Sequence, residues 1–220
     1  MSAIPEFHLY AFWRSSATFR VRAALNLKGL KAHELFVNLE AGEHLRPDFL
    51  AINPLGGIPA LVQAGQPPIT QSLAILEFLE ELQPEPPLLP RDLHGRARVR
   101  SLAAMLASDT HPLLTPRIKK YLATQAGMDD AAWRAWQVHW FGTGLAALEQ
   151  RLAREPQTGR YCHGDTVTMA DVVLASILAV MRVFKIPSQN TPTIDRIMAS
   201  LDALEAFALA DPFRQQGAPA

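Results

Sequence analysis

The chain has 220 residues, 49% of them hydrophobic and 19% charged, a composition that buries a sizeable core and suits two domains. Twenty-one basic residues balance 21 acidic ones, which removes the electrostatic argument for nucleic acid or an acidic membrane surface. A single cysteine, Cys162, leaves no disulfide framework within the chain and fits a reducing compartment.

Phe7 to Phe12, short, apolar and aromatic, predicts a first strand. Ser16 to Leu30 carries apolar positions at Phe19, Ala23, Ala24 and Leu27, with Gly29 where a helix would end. His33 to Leu39 alternates as a second strand, and Pro47 to Ile52 gives one or two helical turns closed by Asn53-Pro54. Ile58 to Val62 leads a third strand, Gly65 to Pro68 a turn, and Ile69-Thr70 a short fourth strand. Ser72 then opens a helix with Ile75, Leu76 and Leu79 on one face. The order is βαβ followed by ββα.

Prolines 84, 86, 87 and 90 cannot lie in a helix interior and read as an interdomain linker. After them helical patterns fill residues 93–122, 130–154, 169–184 and 194–208, with no strand. The expected domains are 1–85, a linker at 86–92 and an all-helical domain at 93–220, with 215–220 as a loose tail. Residues 1–7 lack an apolar run of signal-peptide length, and no stretch reaches the ~18 apolar residues of a membrane span. The expectation is a soluble, cytoplasmic protein.

Three junctions carry candidate chemistry. Ser15 and Ser16 stand between the first strand and the first helix, where backbone N–H groups lack intrahelical partners. They read either as a helix cap or as hydroxyls that, with the helix's positive end, stabilise an anion such as a thiolate. A free thiol ionises near ~8.5, and lowering that by two units takes about 2.7 kcal/mol of anion stabilisation. Ile58-Pro59 is a candidate cis peptide or a plain strand start. Gln71-Ser72 offers an amide, a hydroxyl and free N–H groups as a receiver for a carboxylate, or simply caps the next helix.

Elsewhere the residues read as structural. Thr168 and Asp171 form a capping box, with Val167 and Val172 as a hydrophobic staple. Cys162 reads as buried packing. Of the seven histidines no two lie within four residues, so no metal site is expected. Trp133, Trp136 and Trp140 share one helix and read as core or interface.

In this order the junctions, with Arg14-Ser15-Ser16, Arg20-Val21-Arg22, Ile58-Pro59-Ala60-Leu61, Gln71-Ser72-Leu73-Ala74-Ile75, Asp109-Thr110-His111-Pro112-Leu113 and Gly164-Asp165-Thr166-Val167-Thr168-Met169-Ala170-Asp171, make the chain resemble the glutathione transferase superfamily over essentially its whole length. It is most similar to the zeta class of maleylacetoacetate and maleylpyruvate isomerases. The resemblance implies an α/β plus all-α fold, with a thioredoxin-like N-terminal domain followed by an all-helical C-terminal domain. It implies glutathione as cofactor, a small electrophilic substrate and a homodimer. Ser15, Ser16 and Arg20 are implied as catalytic. Ser15, Ser16, Ala17, Thr18, Ile58, Pro59, Gln71, Ser72 and His111 are implied to bind glutathione, with His111 coming from the helical domain. The implied reaction is cis–trans isomerisation of maleylacetoacetate-type substrates. The alternatives are a broader transferase that conjugates or reduces other electrophiles, and a non-catalytic glutathione-binding protein.

Arg14, Arg20, Arg117 and Arg182 are the candidates for a substrate carboxylate. The chain departs from the class at three places. Ala17 stands where many relatives carry cysteine. Leu114-Thr115-Pro116 replaces an amide-rich stretch. Arg182 lies one residue further from Phe184 than the arginine of relatives, a turn of about 100° around a helix.

Overall fold

The computed structural model describes residues 6–187 and 189–219, so most of the segment read for a leader lies outside the described residues. Two units emerge, one of residues 1–88 with 204–220 and one of residues 89–203.

In the first unit β1 (Phe7–Ala11) leads through α1 (Ser16–Lys28) to β2 (Ala32–Phe36), and α2 (Pro47–Ile52) precedes β3 (Ala60–Gln63), β4 (Ile69–Thr70) and α3 (Ser72–Leu82). The sheet order is β2-β1-β3-β4. β1 and β2 are parallel, with Leu9 opposite Glu34, while β1–β3 and β3–β4 are antiparallel, with Leu9 opposite Leu61 and Leu61 opposite Ile69. Alternate β1 residues Phe7, Leu9 and Ala11 are buried, Phe7 edge-on to Phe78 of α3, and so are Ile75, Leu76 and Leu79 of α3, which packs on α1. α1 ends at Gly29, whose φ of 65° only glycine adopts freely.

Charged groups also enter this unit. Lys28 Nζ is buried and donates to Glu80 Oε2 at 2.5 Å and to Pro86 O at 2.8 Å, while the same carboxylate oxygen accepts from Leu88 N at 2.8 Å. This knot ties α1, α3 and the proline-rich segment together. Arg22 holds Glu34 in a two-pronged pair, both bonds 2.7 Å.

The second unit consists, among the described residues, of helices and one isolated bridge, Thr158 with Gly164. The pattern expected as one helix over 93–122 is divided. α4 (Leu93–Ala104) passes into a wide π turn at Met105–Thr110 and a 3-10 turn at His111–Leu114 before α5 (Pro116–Ala126). Pro112 and Pro116 lack the N–H that would continue the ladder, which is why the helix stops there. α6 (Asp130–Arg154) packs against the π turn through Gly144. A Cβ at that position would fall 2.2 Å from Thr110 Oγ1. Gly144→Ala is therefore expected to cost about 1.5 kcal/mol by overpacking, read as a lower denaturant midpoint at unchanged m.

α7 (Met169–Val183) begins at the capping box, and Asp171 is fully buried there. Its Oδ1 accepts from Cys162 N at 2.7 Å, and its Oδ2 accepts from Thr168 N and Thr168 Oγ1 at 2.8 Å each. Arg98 of α4 grips the same loop, donating to Glu155 at 2.6 Å, Cys162 O at 2.7 Å and Thr158 Oγ1 at 2.9 Å. The Cys162 thiol is buried and burial pushes its pKa well up, so it is an inert packing group.

The helical pattern expected over 194–208 divides into α8 (Pro192–Asp202) and α9 (Glu205–Ala210). α9 belongs with the first unit, where Asn26 Nδ2 donates to Ala206 O at 2.9 Å. Residues 215–219, expected as part of a loose tail, are held by bonds of their own, among them Gln215 Nε2 to Leu209 O and Asp211 O at 2.8 Å each.

Candidate active site

The turn between β1 and α1 is built by a cap. Ser15 has extended backbone angles, φ −72° and ψ 117°, and its Oγ accepts from Thr18 N at 3.2 Å. A hydroxyl that accepts still has its proton to donate, and among the described residues Ser15 donates to none. The first turn of α1 holds no acidic side chain, so no carboxylate on the helix itself occupies its positive end. Ser16 Oγ and Thr18 Oγ1 are buried without a hydrogen-bond partner, and Ala17 is buried beside them. Arg14, next to Ser15, has partners of its own. It pairs with Glu40 at 2.7 Å and stacks over the rings of Phe12 and Trp13 at 5.6 and 5.7 Å.

The second junction lies at α3. Gln71 has φ 71° and ψ 114°, a conformation costly for a side-chain-bearing residue, and strain of about 1–3 kcal/mol persists only where the surroundings impose it. Its side chain is exposed and makes no cap hydrogen bond to the helix it precedes, whose first turn holds no acidic residue. Gln71→Gly is expected to keep thermal stability or raise it by about 1 kcal/mol. A drop in melting temperature would show that the side chain, not the backbone shape, stabilises the fold there. Ser72 is buried, and its Oγ accepts from Arg20 Nη1 at 3.1 Å, leaving its own proton to donate.

Arg20 connects the two junctions. It sits on α1, is only 2% exposed, and reaches the first residue of α3. Burial lowers its pKa to about 9, still above neutrality, so the cation is kept beside the N-terminus of α3. The Ile58–Pro59 bond is cis, and Ile58 is half-buried two residues before β3. The structure thus brings Ser15 to Thr18, Ile58, Pro59, Gln71, Ser72 and Arg20 into one unit.

His111 belongs to the second unit, half-buried at the head of the 3-10 turn. Arg117 on α5 and Arg182 in the last turn of α7 are both exposed. Among the described residues no group of three or more metal-ligating side chains occurs, and no helix is long and apolar enough to cross a membrane. Two features escaped the sequence reading: the buried Arg20–Ser72 link and the strained backbone of Gln71. Arginine at an apolar helical position was the available signal for the first, and nothing in the sequence marks the second.

As chemistry, the arrangement offers hydroxyl and N–H donors at one helix start and a second such start nearby on the same unit. The donor set fits a ligand with an anionic sulfur and a carboxylate.

Comparison with known proteins gives the class. Residues 5–81 match the glutathione S-transferase N-terminal domain and residues 130–188 the glutathione S-transferase C-terminal domain; the chain belongs to the glutathione S-transferase family. It is 44% identical to a maleylpyruvate isomerase of Ralstonia sp. over 94% of this chain and 97% of that one. Among solved structures it is similar to the maleylacetoacetate isomerase of Methylobacterium extorquens AM1 with malonate and glutathione bound, at TM-score 0.94 and 48% identity over 97% and 100% of the two chains. A holo maleylpyruvate isomerase of the zeta class is similar at TM-score 0.92 and 42% identity over 96% and 100%.

Proposed function

We propose that the protein is a glutathione-dependent cis–trans isomerase of maleylacetoacetate-type substrates, acting in aromatic-ring or aromatic amino-acid catabolism. The observation that carries this is the Ser15 cap, whose hydroxyl proton remains to be donated at the start of a helix free of acidic residues in its first turn. The near-full-length likeness to isomerases at 44% and 48% identity supports the same reading. Bound glutathione supplies a thiolate, which adds reversibly to a double bond conjugated to carbonyls and so allows it to rotate.

The chain's own residues then have distinct tasks. Ser15 donates its hydroxyl to the sulfur, and the N–H groups of Ser16 and Ala17 add the field of the helix start. Ser16 and Thr18 line the same turn. The backbone of Ile58, fixed by Pro59, holds the middle of the tripeptide. Gln71 and Ser72 hold its γ-glutamyl end, and Arg20 keeps Ser72 oriented while placing a buried cation behind that carboxylate. His111 is proposed as a further contact to the same ligand. Arg14, Arg20, Arg117 and Arg182 are the proposed candidates for a substrate carboxylate; Arg14 is also paired with Glu40, and Arg117 and Arg182 are exposed. A cytoplasmic homodimer is the proposed working form.

The test uses catalytic glutathione with maleylacetoacetate. Conversion to the trans isomer with glutathione fully recovered supports the isomerase. If maleylacetoacetate persists while a haloacid or aryl halide consumes glutathione stoichiometrically, the activity is that of a broader transferase.

A further inference from the structure

The C-terminal segment runs back along α1 and ends against the residues that precede Ser15. α9 is laid on α1 by the Asn26–Ala206 bond and by Phe19 and Phe207, whose ring centroids are 6.4 Å apart. Beyond α9 the chain is shaped by its own polar groups. Asp211 Oδ1 accepts from Phe213 N at 2.9 Å, and Gln215 Nε2 ties back to the carbonyls of Leu209 and Asp211.

That shape delivers two contacts. The Phe213 ring centroid lies 6.0 Å from that of Trp13. Gly217, at φ 86°, passes so close to Phe36 that a Cβ there would fall 2.5 Å from its Cε2. Phe36 in turn lies 5.8 Å from Phe12, and Phe12 O accepts from Ser15 N at 3.2 Å. Phe12 and Trp13 are buried, whereas Phe213 is 49% exposed with its ring set against Trp13.

We propose that residues 211–217 form a clamp on the Phe12–Ser15 turn, with Phe213 and Gly217 as positioning residues for the Ser15 hydroxyl. This rests on the role given to Ser15 above. A hydrogen bond to an anion is worth most when the donor is held in place, and a shift of about 1 Å in a supporting residue suffices to weaken it. Loosening the turn therefore shows in the ionisation of the bound thiol more than in the affinity for the rest of the tripeptide.

The experiment compares Phe213→Ala and Gly217→Val with Ser15→Ala and the unaltered protein. It titrates the ultraviolet absorbance of the glutathione thiolate in the complex and follows hydrogen exchange of the amides of residues 13–18 without ligand. Both clamp variants are expected to raise the thiol pKa by about one unit, a tenfold smaller thiolate population below it, with faster exchange confined to the turn. Phe213→Tyr, which keeps the ring, is expected to restore both. Circular dichroism melts exclude unfolded variants from the comparison, and the milder Phe213→Leu replaces any that fails to fold. A raised pKa in Ser15→Ala with unchanged pKa and exchange in the clamp variants overturns the clamp and leaves Ser15 in its role. A raised pKa in the clamp variants with an unchanged pKa in Ser15→Ala removes Ser15 from its role and overturns the proposal that the clamp acts through its hydroxyl. No shift in any variant overturns both.

Discussion

Ser15→Ala is expected to lower kcat/KM for isomerisation about 100-fold at a pH of about 6.5, with the loss shrinking as the pH is raised. The sign follows from the chemistry. A hydroxyl that donates to the sulfur favours its ionised form, so the thiol pKa lies below its value in water. Removing the donor moves that pKa back up, and alkaline solution then supplies the thiolate that the site no longer does. The same change removes a helix cap, since Thr18 N loses its acceptor, at a cost of about 1 kcal/mol in stability. Melting curves and pH–rate profiles separate the two effects. A uniform rate loss at every pH would mean that Ser15 only shapes the turn.

Asp171→Ala is expected to destabilise the protein by about 5 kcal/mol, because three buried donors lose their acceptor at once and each costs about 1–3 kcal/mol when left bare. Burial raises the Asp171 carboxyl pKa above its usual range, and the donors from Cys162 and Thr168 oppose that rise. Asp171→Asn keeps one acceptor oxygen, enough for the two Thr168 donors, but turns its NH2 toward the Cys162 N–H, so it is expected to lose less than Asp171→Ala in urea denaturation. A loss as large as that of Asp171→Ala would show that the bond to Cys162 N, with the charge, holds the loop to the helix. No change in the thiol pKa is expected from either variant, which separates this element from the Ser15 turn.

Much of this architecture is legible in the residues themselves. The β1–α1–β2 and β3–β4–α3 order follows from apolar alternation, Gly29 and the prolines, and the capping box of Thr168 and Asp171 is where its spacing puts it. Other features depend on packing between residues far apart in the chain. The hydropathy pattern joins 194–208 into one helix, yet the chain breaks after Asp202 and α9 packs on α1, a pairing that no local period encodes. The run from Leu93 to Leu122 reads as one helix because its apolar spacing persists through Pro112 and Pro116, whose missing donors end it. At the site, Ser15 and Ser72 are visible as helix-start residues. That Arg20 bonds Ser72 is not, because the partners are separated by 52 positions. The left-handed backbone of Gln71 is imposed by tertiary context on a residue that does not prefer it.

The return of the last residues to the first unit has a consequence for biosynthesis. Asn26 and Ala206 are 180 positions apart, so the face of α1 that receives Phe207 stays bare until α9 has been made. The first unit, although its sheet leaves the ribosome early, is completed only when α9 has emerged and a loop longer than most domains closes. Nascent chains stalled before Glu205 are therefore expected to hold a protease-sensitive first unit, which becomes resistant once α9 is free of the ribosome.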